Sequence, residues 1–519
     1  MTTTRQGGLD RRDLLKGTAA ATGALLLPAS VKAAEPGPRK GGTLRVAMPF
    51  NPASVDPLTG RTLTDFNVLY ALFDGLIDFE PATLKLKPGL AKAWRFADPK
   101  TLVLDLVDGV EFHDGTPFNP EAVKFNIERY KTHPRSTVKA DLAQVATVEV
   151  TGKSQVTLHL SAPHYGLPAI LTNRVGLMVS PKSVREADNG NVDRKPVGTG
   201  PFTFVDWQDN ASITLTRNKN YWRAGLPHLD GLQMRIINEL NTATRTAIAG
   251  ESDLVLNMTV TQKQAVDRVK NVVATVTPGL VFYGAYLNYA RPPLDDLRVR
   301  QAMNYALDRD AYNKLVLAGL GEPSSTIVPK EFWACDPATA DYYRHDPDKA
   351  KKLLADAGHA GGIEIPAWGW SDQSAIQRQE IVTSQLAEVG IRVKLTPAVP
   401  IQVIKAFMIE HQRAMMIGAG GGYPDPSQLY EALFDKGALR NSGRIELPGY
   451  RPLMDATMAA PTEDGRKAAF AKLQRFTVEQ AMYFTHAIVP GVTIATPKVK
   501  NFEAGLMGTP KFTDVWLEA

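Results

Sequence analysis

The chain has 519 residues, 44% of them hydrophobic and 22% charged, with a formal net charge of +5. That length exceeds the roughly 250–300 residues at which single cores stop growing, so more than one domain is expected, and the composition excludes global disorder. Arg5, Arg11, Arg12, Lys16 and Lys32, less Asp10 and Asp13, put +3 in the first segment. The +2 left for the remainder offers no basic footprint for nucleic acid or anionic membrane.

In chain order, Leu9 to Lys16 supply a basic flank, Gly17 to Ala29 an uncharged apolar stretch, and Ser30-Val31-Lys32-Ala33 the small residues read by signal peptidase. Residues 1–33 therefore read as a secretory signal cleaved after Ala33, which predicts a periplasmic protein. Arg11-Arg12 with Leu14-Leu15-Lys16 resemble the twin-arginine type that exports folded proteins, with Leu14 where Phe is usual. The apolar run is about 13 residues, short of the ~20 a membrane-spanning helix needs, and Pro28 interrupts it. No cysteine follows it to carry a lipid. Residues 34–40 read as a short disordered leader.

Thr43 to Met48 alternates as a strand and is followed by a proline-rich loop. Leu102 to Val107 is a second strand. Asn119, with Pro120 at the first helical position, opens a helix to about Tyr130. Ile213 to Thr216 and Gln233 to Ile237 are strand-like. Asp296 caps a helix carrying Val299, Ala302, Met303, Ala306 and Leu307 at helical spacing. Asp346-Pro347 opens a helix closed by Gly358. Ala375 to Val389 is another, closed by Gly390 and followed by strand Ile391 to Leu395. This alternation predicts a mixed α/β fold.

Enzyme signatures are incomplete. Gly152-Lys153-Ser154 lacks the earlier glycine of a phosphate loop, since Thr147 stands there. Gly198-Thr199-Gly200 is broken as a dinucleotide fingerprint by Pro201 and Thr203. Gly418-Ala419-Gly420-Gly421-Gly422 runs into Tyr423-Pro424, where a helix should begin. The nine histidines are scattered and read as surface or capping residues. The single cysteine, Cys335, permits no internal disulfide and no zinc site of several thiolates, and reads as a small buried apolar residue.

An ordered series of segments resembles the family 5 extracellular solute-binding proteins, the peptide and nickel binders of ABC importers. It comprises Gly41 to Val46, Asp56-Pro57, Leu72-Phe73-Asp74-Gly75-Leu76, Pro88 to Trp94, and Leu106 to Arg129 (LVDGVEFHDGTPFNPEAVKFNIER). It continues with Val197 to Phe202, Tyr221-Trp222, Asp295 to Asp308, Asp346 to Gly358 and Tyr423-Pro424-Asp425-Pro426. Physically most of these residues read as scaffold: Asp108-Gly109 and Asp114-Gly115 are turns, and Tyr221-Trp222 would pack a sheet edge.

The resemblance implies a two-lobed α/β periplasmic-binding-protein fold with an extra subdomain in the first lobe, the large three-domain type of class II. Residues 41–75, 196–285 and 484–519 would form the base of lobe 1, 76–195 its inserted subdomain, and 286–483 lobe 2. Crossings near Leu280 to Leu287 and Met482 to Val489 would form the hinge. It implies a monomer without catalytic residues, cofactor or metal, which captures a small solute and delivers it to a membrane permease and its ATPase.

Ligand contacts in such proteins come from three segments. Here they correspond to Asn51, Ser54 and Asp56; to Trp368, Trp370 and Ser371; and to Gly420, Tyr423 and Asp425. The Trp pair flanks Gly369 in a loop-like setting and reads equally as core packing or as ligand contact, and Asp425 between prolines reads as a loop cap before an ion-pairing residue. Dipeptide binders place an aspartate where Gly422 stands and an arginine near Gly369, so both charge anchors are missing. Peptide-like and other organic solutes, chelated nickel, and a secreted hydrolase remain open at this point.

Overall fold

Short alternating segments and capped helical runs become strands and helices in the computed structural model, which describes residues 37–60 and 62–518. The export signal, with Arg11 and Arg12, lies outside the described residues. β1 (Thr43–Met48) buries Leu44 and Val46 to Met48. β2 (Ala91–Asp98), β3 (Thr101–Leu106), β4 (Val145–Gly152) and β5 (Gln155–Leu160) form an antiparallel sheet in the order β2-β3-β5-β4. Helix α1 (Pro120–Thr132) buries Val123, Ile127 and Tyr130 in one core with Leu102, Leu104 and Leu158 of that sheet. Its start follows the sequence rule: Asn119 accepts from Ala122 N at 2.9 Å, with Pro120 behind it.

A larger, 11-stranded sheet holds the rest together. After β1 its strands are β6 (Phe202–Gln208), β7 (Ser212–Arg217), β8 (Gly231–Ile236), β9 (Leu254–Met258), β10 (Val273–Leu287), β11 (Ile363–Trp370), β12 (Ile391–Ala398), β13 (Met415–Gly420) and β14 (Phe484–Ala495). They run β12-β11-β13-β10-β14-β9-β1-β8-β7-β6, and the short strand Glu322–Pro323 lies beside β14. β10 and β14 belong to both halves. Val492, Ile494 and Ala495 of β14 pair with β9, whereas Phe282 to Leu287 of β10 pair with β13.

Between those stretches the β10–β14 register breaks, from Thr277↔Gly491 to Val281↔Val489. The break holds Pro278-Gly279 on one strand and Pro490-Gly491 on the other, residues that interrupt a ladder. A side chain on Gly279 would begin 2.6 Å from the Val489 carbonyl, so only glycine lets the strands close there.

Among the helices of the second half are α2 (Leu297–Ala306), α3 (Pro347–Asp356), α4 (Gln373–Glu388), α5 (Pro426–Phe434) and α6 (Glu463–Glu479). Asp296, Asp346, Asp372, Asp425 and Thr462 cap them, each accepting a backbone N–H two or three residues on. Three expectations need correction. Trp368 to Trp370 is the end of strand β11, and Gly418 to Gly420 belongs to strand β13; neither is loop. Tyr221 and Trp222 donate to Asp74, at 2.9 and 2.8 Å, where a packed sheet edge was expected. His164 and His486 are buried, at 3% and 1% exposure, and are neither surface nor capping residues.

Candidate functional site

The recognisable motifs meet one another. Asp74 of the Leu72–Leu76 segment accepts from Thr199 Oγ1 at 3.1 Å as well as from Tyr221 and Trp222, so three distant motifs converge on one buried carboxylate. Burial raises its pKa, against the pull of Arg223 and these donors. His113 accepts from Gly198 N at Nδ1 and donates from Nε2 to the Gly200 carbonyl at 3.0 Å. Burial lowers the His113 pKa to about 4, so the ring is neutral and this tautomer is fixed. Asn126 bridges α1 to both the N–H and the carbonyl of Val179, and Tyr130 donates to the Leu177 carbonyl.

The early-loop candidates are held within this framework. Asn51 Oδ1 accepts from Trp207 Nε1 at 3.1 Å and from Asn210 N at 3.2 Å. Ser54 Oγ donates to Asp193. Asp56 is gripped by both terminal nitrogens of Arg129 and caps Leu58 N at 3.0 Å. Asp425, the late-loop candidate, is equally engaged. It caps α5 through Ser427 N and forms a bidentate pair with Arg466 at 2.7 and 2.8 Å. Arg466 and Ser427 hold its carboxyl below the usual range although burial opposes them.

Trp368, Trp370 and Gly420 share one face of the second half of the sheet, with Ser371 and Tyr423 just beyond the strand ends. Trp368 and Trp370, two apart on β11, point the same way. The Trp370 ring covers Gly418, whose Cβ, if present, would lie 3.4 Å from Trp370 Cζ2. Phe282 covers Gly420 (2.2 Å) and Leu280 covers Gly422 (2.2 Å). Glycines at 418, 420 and 422 thus form a floor that lets large side chains lie flat on the strand and the turn after it. Tyr483 stands edge-on to Phe282 and Tyr286, with centroids 5.3 Å away in each case. Tyr423 is half-buried, and Ser371 is exposed at the strand end.

This face holds donors without acceptors. The indole N–H groups of Trp368 and Trp370 and Nη1 of Arg440 are buried with no partner among the described residues. Arg413 covers the Trp368 ring at 4.4 Å. The sequence did not single out Arg440, Tyr286, Phe282 or Tyr483; the alternate-residue glycines were a signal for Phe282, because such spacing in a strand marks rings lying across it, and nothing local pointed to Arg440. Gly369 faces the other way: a side chain there would begin 1.7 Å from Gln379 Oε1 of α4. A side chain at 422 would begin 2.2 Å from Leu280 Cβ, so neither position has room for a charge anchor.

Two contacts join residues 141 and 165 to the second half of the chain. Gln428 of α5 donates to Asp141 at 3.0 Å, and Tyr165 N donates to the Met458 carbonyl at 2.8 Å. Among the described residues no cluster of three His, Cys, Asp or Glu could hold a metal ion, and no helix is long and apolar enough to cross a membrane.

Comparison with known proteins agrees with this architecture. The family model "Bacterial extracellular solute-binding proteins, family 5 Middle" matches residues 85–441. The glutathione-binding protein GsiB of Escherichia coli K12 is 29% identical over 357 residues, covering 68% of each chain. Among solved structures, the ABC transporter-associated periplasmic binding protein DppA of Helicobacter pylori, in complex with peptide STSA, superposes with a TM-score of 0.84. It is 22% identical, and the match covers 93% of this chain and 99% of that one. The PBP AgaA of A. tumefaciens R10, in complex with agropinic acid, gives 0.81 at 24% identity, covering 92% and 99%. The fold is that of the large, multi-domain class II periplasmic binding proteins.

Proposed function

The chain belongs to the bacterial extracellular solute-binding proteins of family 5, and from that membership we propose that it captures a small organic solute and delivers it to an ABC import permease. Solute meets the glycine-floored face of β10, β11 and β13, against Trp368, Trp370, Ser371, Gly420 and Tyr423. Asn51, Ser54, Asp56 and Asp425 act one step back, as ties that hold the surrounding loops. The observation that carries this reading is the pair of buried indole N–H groups without acceptors, since buried donors are ordinarily satisfied and a bound solute would satisfy these.

The proline-glycine breaks at 277–281 and 489–491 support a hinge at which the base (41–75, 196–285, 484–519), with its insert (76–195), moves against lobe 2 (286–483). Closure on the solute is then the state the permease reads. The protein works as a monomer and carries out no chemistry on its cargo.

Trp370→Ala tests the site. Isothermal titration with the solute that co-purifies should show affinity down by roughly tenfold or more. The unliganded protein should lose less than the ~3–5 kcal/mol of a core aromatic truncation. Unchanged affinity would remove Trp370 from the site, and steady turnover of the solute would overturn the transport reading. We further propose twin-arginine export with cleavage after Ala33; replacing Arg11 and Arg12 by Lys should leave precursor in the cytoplasm, as fractionation would show.

A further inference from the structure

Arg440 follows α5 in a segment whose neighbours are tightly held. Asn441 Nδ2 donates to the carbonyls of Phe434 (3.0 Å), Asp435 (3.1 Å) and Ile445 (2.7 Å). Ser442 Oγ donates to the Phe407 carbonyl at 2.7 Å, and Arg444 Nη1 to those of Gly437 and Ala438 at 2.9 and 2.7 Å. The backbone at 440 is therefore fixed on both sides. Arg440 itself is half-buried, yet Nη1 is sealed from solvent and has no hydrogen-bond partner.

Its titratable neighbours are phenols, Tyr423, Tyr286 and Tyr483, which are uncharged at neutral pH and give no counter-charge. No ion pair to Arg440 occurs among the described residues. Arg129 and Arg466 each grip an aspartate, and the buried Arg300 and Arg309, which have no ion pair either, spend their nitrogens on backbone carbonyls. A sealed guanidinium nitrogen with neither an anion nor a carbonyl is an expensive arrangement for a protein to keep unless an acceptor arrives. Tyr286 places this one on the candidate face: its residue lies in β10 and its hydroxyl donates to the Ala419 carbonyl of β13 at 2.9 Å.

Resting on the solute-binding reading above, we propose that Arg440 receives a carboxylate of the captured solute, making the cargo an organic acid. The planar fork of a guanidinium takes a carboxylate through two parallel N–H···O bonds. Tyr423 beside it and the indole donors of Trp368 and Trp370 would accept the polar remainder. The anionic end is thus read by a residue outside both positions where dipeptide binders keep their anchors.

The test uses the full mature protein and two defined acids, glutathione and agropinic acid, each also prepared with its carboxyls converted to amides. Titration calorimetry should show at least one acid binding the wild type. Its affinity should fall roughly 10- to 150-fold on amidation and by a similar factor in Arg440→Met. Arg392→Gln, an exposed arginine on β12, should change nothing. The unliganded melting temperature should hold or rise in Arg440→Met, because the variant removes a sealed donor with no partner among the described residues. A fall of several degrees would show that Arg440 serves the fold and would overturn the proposal. Amides that bind as well as acids, or an Arg440→Met variant with wild-type affinity, would overturn the proposal and leave solute binding standing. A wild type that takes neither acid nor amide would count against both.

Discussion

The stretch from Leu106 to Arg129 and the glycine-floored face of β10, β11 and β13 differ in how they use their polar groups. In that stretch His113, Asp114, Asn119, Asn126 and Arg129 each have a protein partner, and only Nε of Arg129 is left buried without one among the described residues. On the face of β10, β11 and β13, Trp368, Trp370 and Arg440 present buried donors with no partner among the described residues. The recognisable motif is the closed region, and the open region carries little that looks like a motif. A residue locked between fixed partners must be one particular type, so it is conspicuous in sequence; a residue that meets a solute answers to the solute's shape.

The largest effect should come from opening the closed region. Arg129 and Asp56 are 7% and 1% exposed, and the pair ties α1 to the early loop. Arg129→Ala leaves Asp56 buried with its main counter-charge gone, which costs about 3–5 kcal/mol. Denaturant unfolding should show that loss. Solute affinity measured well below the transition should stay within a factor of a few. A large loss of affinity with little loss of stability would reverse the contrast between the two regions.

A middle-sized effect should come from a carboxyl outside both regions. Glu431 of α5 is pushed up to about 8, by burial first and then by the Asp435 carboxylate, with Asp141 and Asp425 adding to the shift and Arg451 opposing it. The unfolded value is about 4.3, so the folded protein binds the extra proton. Stability at this site is therefore fully present below that value, declines as pH rises towards 8, and levels off above it. Glu431→Gln should remove the decline, stabilising the protein at pH 8.5 by roughly 1–3 kcal/mol more than at pH 4. Paired thermal melts at the two pH values would show it, and equal shifts at both would mean Glu431 is ionised at little expense.

Much of the fold was legible because it rests on local rules. The caps Asn119, Asp296 and Asp346 and the alternation of Thr43 to Met48 led to observed elements. The Trp368–Trp370 segment was misread because two large rings around a glycine look like loop; only the pairing with β13, far along the chain, shows that the rings need glycines beneath them. Asp425 looked like a loop cap or a ligand group; its partner Arg466 comes from α6, beyond any local pattern. Arg440 was invisible for the same reason. An arginine in a polar segment reads as solvated surface until the fold seals its Nη1.

The smallest effect should come from the lone thiol, which belongs to neither region's chemistry. Cys335 is half-buried, its Sγ donating weakly to the Val328 carbonyl at 3.7 Å. Burial pushes its pKa up to about 12, with the carboxylates of Glu322 and Asp336 adding to the shift, so at neutral pH almost none is thiolate. The thiolate is the reactive form, so native protein should react with iodoacetamide far more slowly than unfolded protein. Cys335→Ser keeps a donor at nearly the same place and should leave solute affinity within a factor of a few. Rapid labelling of the native thiol, or protection from labelling by bound solute, would instead extend the open face as far as Cys335.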